Sequence, residues 1–177
     1  SSWLTVKGMG GWYNVSKGHY PFGDVARERE DYMANPSPGD KAVPFELPGV
    51  DDSNHALADY TDKEAIGVVF TCNHCPTAQA YEDRILKLHA DYKDQGVALV
   101  AVTPNDPVAV RLDELGYTDL DDSFEHTKLR AAEKKFAFPY LYDGETQKMS
   151  REYGCLATPH VFIFDAERKL RYTGGID

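Results

Sequence analysis

Scarcity says more about this chain than abundance does. Its 177 residues include only three cysteines, Cys72, Cys75 and Cys155, too few to staple a small scaffold together. No apolar run approaches the roughly 18 to 20 residues that cross a bilayer, and the first residues carry no basic-then-apolar leader pattern. Basic residues are outnumbered, 19 Lys and Arg against 29 Asp and Glu, for a formal charge of -10. That balance argues against nucleic acid or an anionic membrane as a main partner, because both demand excess positive charge. Repeats and low-complexity tracts are absent too. The length suits one α/β domain with a full core plus an appendage.

The appendage is residues 1–40. Gly8, Gly10, Gly11, Gly18 and Gly23 alternate there with Trp3, Trp12, Tyr13, Tyr20 and Phe22. Two short strand-like pieces around a glycine turn predict a hairpin or arm whose aromatics pack rather than bind. Asp24 to Ala34 reads as a short helix capped by Asp24, and Asn35-Pro36-Ser37-Pro38-Gly39 ends it.

From Lys41 the pattern becomes regular. Val43–Leu47 and Ala56–Tyr60 flank a polar turn and predict an entry hairpin. Ile66–Phe70 and Val97–Val102 are continuous apolar runs, which suit strands covered on both faces of a sheet, with Ile66–Phe70 central. Between them Ala80, Tyr81, Ile85, Leu86, Leu88, His89 and Tyr92 recur at helical spacing up to Gln95-Gly96, giving a crossover helix of about five turns. Helices are expected over 108–115, 124–135 and 147–153, with a polar insert over 116–123. Phe138–Tyr142 reads as a strand, and Val161–Phe164 and Lys169–Tyr172 as an antiparallel hairpin around Asp165–Arg168.

The chemistry concentrates in Cys72-Asn73-His74-Cys75-Pro76, where an apolar strand gives way to an amphipathic helix. Two thiols three apart can close a disulfide. A helix N-terminus offers free N–H groups and partial positive charge, so Cys72 is expected to be an exposed nucleophilic thiolate with Cys75 one turn inside. A buried Cys72 would undercut that reading. Metal binding at this spacing needs two further ligands nearby along the chain, and none stands there. Haem attachment needs His after the second cysteine, where this chain has Pro76. Neither a metal nor a cofactor is expected.

At this point the chain resembles the thioredoxin fold. Tyr153-Gly154-Cys155-Leu156-Ala157-Thr158-Pro159-His160-Val161-Phe162-Ile163-Phe164 is similar to the segment in which a Tyr-Gly pair leads to a cis-proline and an apolar strand. The resemblance covers residues 41–177. It implies an α/β thioredoxin-like mixed sheet flanked by helices, with an N-terminal extension and without the terminal helix of that fold up to Asp177. Cys72–Pro76, Ala80–Arg84 and Phe138–Asp143 resemble a bacterial, CxxC-containing group of peroxiredoxin-like proteins, the alkyl hydroperoxide reductase and thiol-specific antioxidant type.

What the resemblance implies is thiol-disulfide exchange with disulfide- or dithiol-containing proteins or small thiols. Cys72 attacks, Cys75 resolves, and His74 stabilises the thiolate. Thr158, Pro159 and Asn73 are the expected substrate contacts. His before the second cysteine resembles isomerases and periplasmic oxidases, which implies a potential between roughly -230 and -120 mV. Cytoplasm and periplasm both remain open. Cys155 reads as an inert thiol.

Two departures bear on mechanism. The peroxide-binding Pro-x-x-x-Thr-x-x-Cys loop of peroxiredoxins fits neither register: counting from Cys75 puts Cys72 and Val68 at the Thr and Pro positions, and counting from Cys72 puts Val69 and Ala65 there. Thioredoxin's buried acid before the CxxC is missing as well, which leaves Glu82 and Asp106 as candidate proton relays. The alternatives are a thiol peroxidase, a Cu(I) chaperone using Cys72, Cys75 and a histidine (His74 or His160), and a redox-inactive interaction module.

Overall fold

The computed structural model describes residues 34, 36–108 and 118–176, together with the backbone of two N-terminal strands. These strands, β1 (Trp3–Gly8) and β2 (Gly11–Ser16), pair antiparallel with Gly8 opposite Gly11. The helix expected over 24–34 and the packing of the arm's aromatics lie outside the described residues, as does most of the helix expected over 108–115. The chain divides into two compact units, Ser1–Ala34 and Asn35–Asp177. Gly39 and Asp40 already belong to the second, exchanging backbone hydrogen bonds with Leu170.

A five-stranded mixed sheet organises that unit. Its strands are β5 (Ala65–Phe70), β6 (Val97–Thr103), β7 (Tyr140–Tyr142), β8 (His160–Asp165) and β9 (Leu170–Gly174), in the order β7-β6-β5-β8-β9. The β5, β6 and β7 strands run parallel, β8 pairs antiparallel with β5, and β9 pairs antiparallel with β8. The apolar run at Ile66–Phe70 is central for the reason its composition suggests, since both faces are covered. Ile66, Val68 and Phe70 join Val100, Val102, Leu141, Phe162 and Phe164 on one side. Val69 joins Leu99, Ala101, Tyr140 and Val161 on the other. Period-two alternation thus divides a continuous apolar strand between two cores.

The crossover from β5 to β6 is α1 (Pro76–Tyr92), with Pro76 opening it and Cys75 as its N-cap. A 3-10 turn over Lys93–Gln95 follows, closed by Gly96 at φ 77. The left-handed conformation favours glycine there, and a side chain would also crowd the Glu64 side chain at 3.0 Å.

In the entry hairpin β3 (Glu46–Pro48) pairs with β4 (Asn54–Ala56). Leu57–Tyr60 is a 3-10 turn rather than the second strand the sequence predicts. The Asp59 carboxylate accepts the Ala56 N–H at 2.7 Å, bending the chain where alternation alone would extend it. The charged stretch after the insert forms α2 (Phe124–Lys134), whose N-cap Ser123 accepts from the His126 N–H at 3.3 Å. A short α3 (Lys148–Glu152) starts on the Asp143 carboxylate, which accepts from the N–H groups of Met149 and Ser150.

Candidate active site

Phe70 ends β5 in full burial, and Thr71 holds the chain to β6 by donating its N–H to the Val102 carbonyl at 2.9 Å. Residues 72–75 therefore turn across the carboxyl ends of the parallel strands, the edge where α/β sheets bind their ligands. The loop before β8 reaches the same place. Its Thr158–Pro159 peptide is cis. Thr158 touches both sulfurs: Cys72 Sγ lies 3.1 Å from its Oγ1, and Cys75 Sγ donates to its carbonyl at 3.5 Å. All three cysteines are free thiols.

Burial reverses the expected order of the pair. Cys72 is 2% exposed while Cys75 is only half-buried. Cys72 also lies ahead of the helix, and it is Cys75 that occupies the N-cap. Burial, then the neighbouring Asp122 carboxylate, pushes the Cys72 thiol up to about 12, against smaller opposing hydrogen bonds from Thr158 and the Cys75 backbone. An exposed, acidified Cys72 is thus corrected to a buried thiol that keeps its proton at neutral pH.

Asp122 adds its charge to the effect of burial. It arrives from the insert ahead of α2 and is fully buried. Its Oδ1 accepts from the Asn73 N–H at 2.7 Å and the His74 N–H at 3.3 Å. Its Oδ2 sits 2.5 Å from His74 Nδ1 and accepts from Asn105 Nδ2 at 2.6 Å. The Asn73 and His74 N–H donors lie in the loop ahead of the Cys75 N-cap, so the carboxylate takes the loop N–H groups beside Cys72 and leaves the first turn of the helix outside its contacts. His74 is turned to the same carboxylate, and no hydrogen bond joins it to either sulfur among the described residues.

Chain resemblance meets geometry here. The AhpC/TSA family model matches residues 38–173, which contain all of the sheet but the last residue of β9, both helices flanking the site and the Cys72–Cys75 loop. The chain belongs to the AhpC/TSA family. Among solved structures, this AhpC/TSA chain is 35% identical to an uncharacterized conserved protein from Geobacillus kaustophilus (TM-score 0.71, 80% of this chain and 70% of that one). A hypothetical protein from Sinorhizobium meliloti 1021 is 30% identical (TM-score 0.72, 81% and 73%). The thioredoxin domain of a thiol-disulfide oxidoreductase from Bacteroides vulgatus shares the fold at 18% identity (TM-score 0.62, 78% and 89%). No curated protein shows significant similarity to the chain. The expected thioredoxin-like mixed sheet and peroxiredoxin-like group are both found.

Other expected site residues are redistributed. Asn73, expected against substrate, is buried at 1% exposure; its amide donates to the Asp121 carbonyl and its own carbonyl accepts from Gln79 Nε2. It pins the loop instead. Glu82, a candidate relay, is locked to Arg130 by bonds of 2.7 and 2.8 Å and to Lys134 at 3.1 Å. Asp106 caps the Val108 N–H at 2.9 Å. Neither carboxylate bonds a cysteine, and the acid beside Cys72 is Asp122, which sequence reasoning missed. Asp121-Asp122-Ser123 reads locally as a helix-capping cluster, and nothing along the chain ties it to a cysteine about fifty residues earlier. Cys155 stands apart from the pair, its Sγ donating to the Ala157 carbonyl at 3.3 Å and its thiol pushed up to about 12 by burial.

Asp122→Asn tests this electrostatic arrangement. Removing the charge lowers the Cys72 pKa while burial keeps it above an ordinary thiol's. Below the pKa, each unit of lowering gives tenfold more thiolate, the form that alkylating reagents attack. Alkylation of Cys72 by iodoacetamide, followed by mass spectrometry across pH, is expected to accelerate about tenfold. An unchanged pH profile in a folded variant would remove Asp122 from the account.

Proposed function

We propose that this protein is a thiol-disulfide oxidoreductase that exchanges disulfides with protein or small-thiol partners through Cys75 and Cys72. The observation carrying this reading is the convergence of both sulfurs on Thr158 beside Pro159. Cys75 is the attacking sulfur. It is the more exposed of the two, and it sits at the N-cap of α1, at the positive end of the helix.

The Cys75 thiolate attacks a partner disulfide, forms a mixed disulfide and expels one partner thiolate. Cys72 loses its proton and attacks the Cys75 sulfur, which closes the Cys72–Cys75 bond and releases the second partner thiolate. The partner gains two electrons and two protons, and the protein loses them. Oxidation of a dithiol runs the same path backwards. Thr158 holds the two sulfurs together and, with Pro159, forms the wall against which the partner's cysteine is laid. Neither register of the peroxide-binding loop is met, which favours exchange over peroxide reduction despite the Cys75-Pro76-Thr77 wording.

Insulin reduction with dithiothreitol as donor, run beside hydrogen peroxide consumption, tests the proposal. Disulfide exchange well above the donor-only background is expected, with little peroxide turnover. Peroxide consumption outpacing exchange would replace the reading with a thiol peroxidase.

A further inference from the structure

We propose that the reduced protein holds a divalent metal ion of the zinc class on Cys72, His74 and Asp122. Sequence spacing argued against a metal because no second ligand pair follows the cysteines. The fold supplies the missing ligand from far along the chain. Cys72 Sγ, a His74 ring nitrogen and an Asp122 oxygen all lie within 4.8 Å of one another. Zinc bonds of about 2.0 to 2.3 Å set tetrahedral ligand atoms roughly 3.3 to 3.8 Å apart, so admitting an ion takes about an ångström of side-chain movement, with His74 Nδ1 and Asp122 Oδ2, 2.5 Å apart, moving away from each other.

Charge points the same way. Asp122 is fully buried, and its ionic partner among the described residues is the His74 ring, with no lysine or arginine on it. Buried carboxylates are ordinarily paired with a fixed cation or bound to a metal. Glu82 shows the paired solution in the same unit, with Arg130 and Lys134 against it. At Asp122 one thiolate and one carboxylate would together neutralise a divalent ion. The donor set of one sulfur, one imidazole nitrogen and one carboxylate oxygen is borderline in softness and suits zinc.

The support around the ligands is also in place. Asp122 is oriented by the Asn73 and His74 N–H groups and by Asn105, and Asn73 is itself held by Asp121 and Gln79. Such outer contacts fix ligand geometry in metal sites. Binding displaces the Cys72 thiol proton to solvent and moves the His74 proton to Nε2, freeing Nδ1 for the metal. Three protein ligands leave a fourth position for solvent. Resting on the exchange reading above, the metal-bound form cannot resolve a mixed disulfide, because the Cys72 sulfur is committed; loading would make metal a reversible inhibitor of the reduced enzyme.

Cobalt(II) titration of the reduced protein is the test. A near-ultraviolet sulfur-to-cobalt band with visible tetrahedral bands, saturating at one ion per chain and displaced by zinc, is expected. The band disappears in Cys72→Ser, affinity falls at least about tenfold in Asp122→Asn and His74→Ala, and Cys75→Ser retains it. Absence of the band, or binding lost in Cys75→Ser yet untouched in Asp122→Asn and His74→Ala, overturns the site. His74→Ala leaves every Asp122 backbone bond in place, so it decides the matter if Asp122→Asn does not fold. Exchange assayed in chelator separates the two proposals: exchange without metal binding removes only this one, and metal binding without exchange removes only the other.

Discussion

Cys75→Ser is expected to reduce disulfide exchange by roughly a thousandfold or more, the scale seen when a covalent nucleophile is removed. Cys72→Ser is expected to behave differently: the first attack continues within a few fold of the unaltered rate, and the protein accumulates as a mixed disulfide because nothing resolves it. Single-turnover reaction with a small aromatic disulfide, read by thiol release and intact mass, distinguishes the two. The asymmetry follows from placement. Cys75 is half-buried at a helix N-cap, whereas Cys72 is 2% exposed with its thiol pushed up to about 12. If the mixed disulfide instead forms on Cys72 and accumulates in Cys75→Ser, the roles revert to those the motif alone suggests.

Glu82→Ala is expected to destabilise the fold by roughly 3 kcal/mol, the cost of leaving one member of a buried pair without its partner. Arg130 would lose the carboxylate that its Nε and Nη2 grip at 2.7 and 2.8 Å, and with it the tie between α1 and α2. Arg130 keeps Glu133 at 3.3 Å, but that carboxylate is mostly exposed and screened. Urea unfolding measures the loss, and exchange activity of the remaining folded protein is expected to change by less than about threefold. A large fall in exchange with unchanged stability would return Glu82 to the role of proton relay and remove the structural account.

Much of this architecture was legible because short-range pattern and long-range packing agree. Ile66–Phe70 reads as a doubly covered strand because all its positions are apolar, and it lies at the centre of the sheet. The α1 helix was visible in its 3.6-residue spacing and its glycine stop, the α2 helix in its charged amphipathic stretch. Leu57–Tyr60 was misread as a strand because a local Asp59 bond outweighs alternation. The Cys72–Cys75 loop is legible from its residue types and spacing, and the resemblance to the thioredoxin fold is what brings Thr158 and Pro159 to it.

Residue types and spacing by themselves determined the buried strands, the crossover helix and the two thiols at its start. The thioredoxin-like sheet and the threonine beside the thiols followed from the resemblance of those segments to a known fold. Only the tertiary structure decided which thiol is reachable, what acid stands beside the buried one and where Glu82 spends its charge. Periodicity reports which face of an element is covered, but burial of a single sulfur and the field on it depend on groups delivered from elsewhere in the chain. Asp122 is delivered that way, and its carboxylate takes the loop N–H groups of Asn73 and His74 and sets a negative charge beside the sulfur that local reasoning makes acidic.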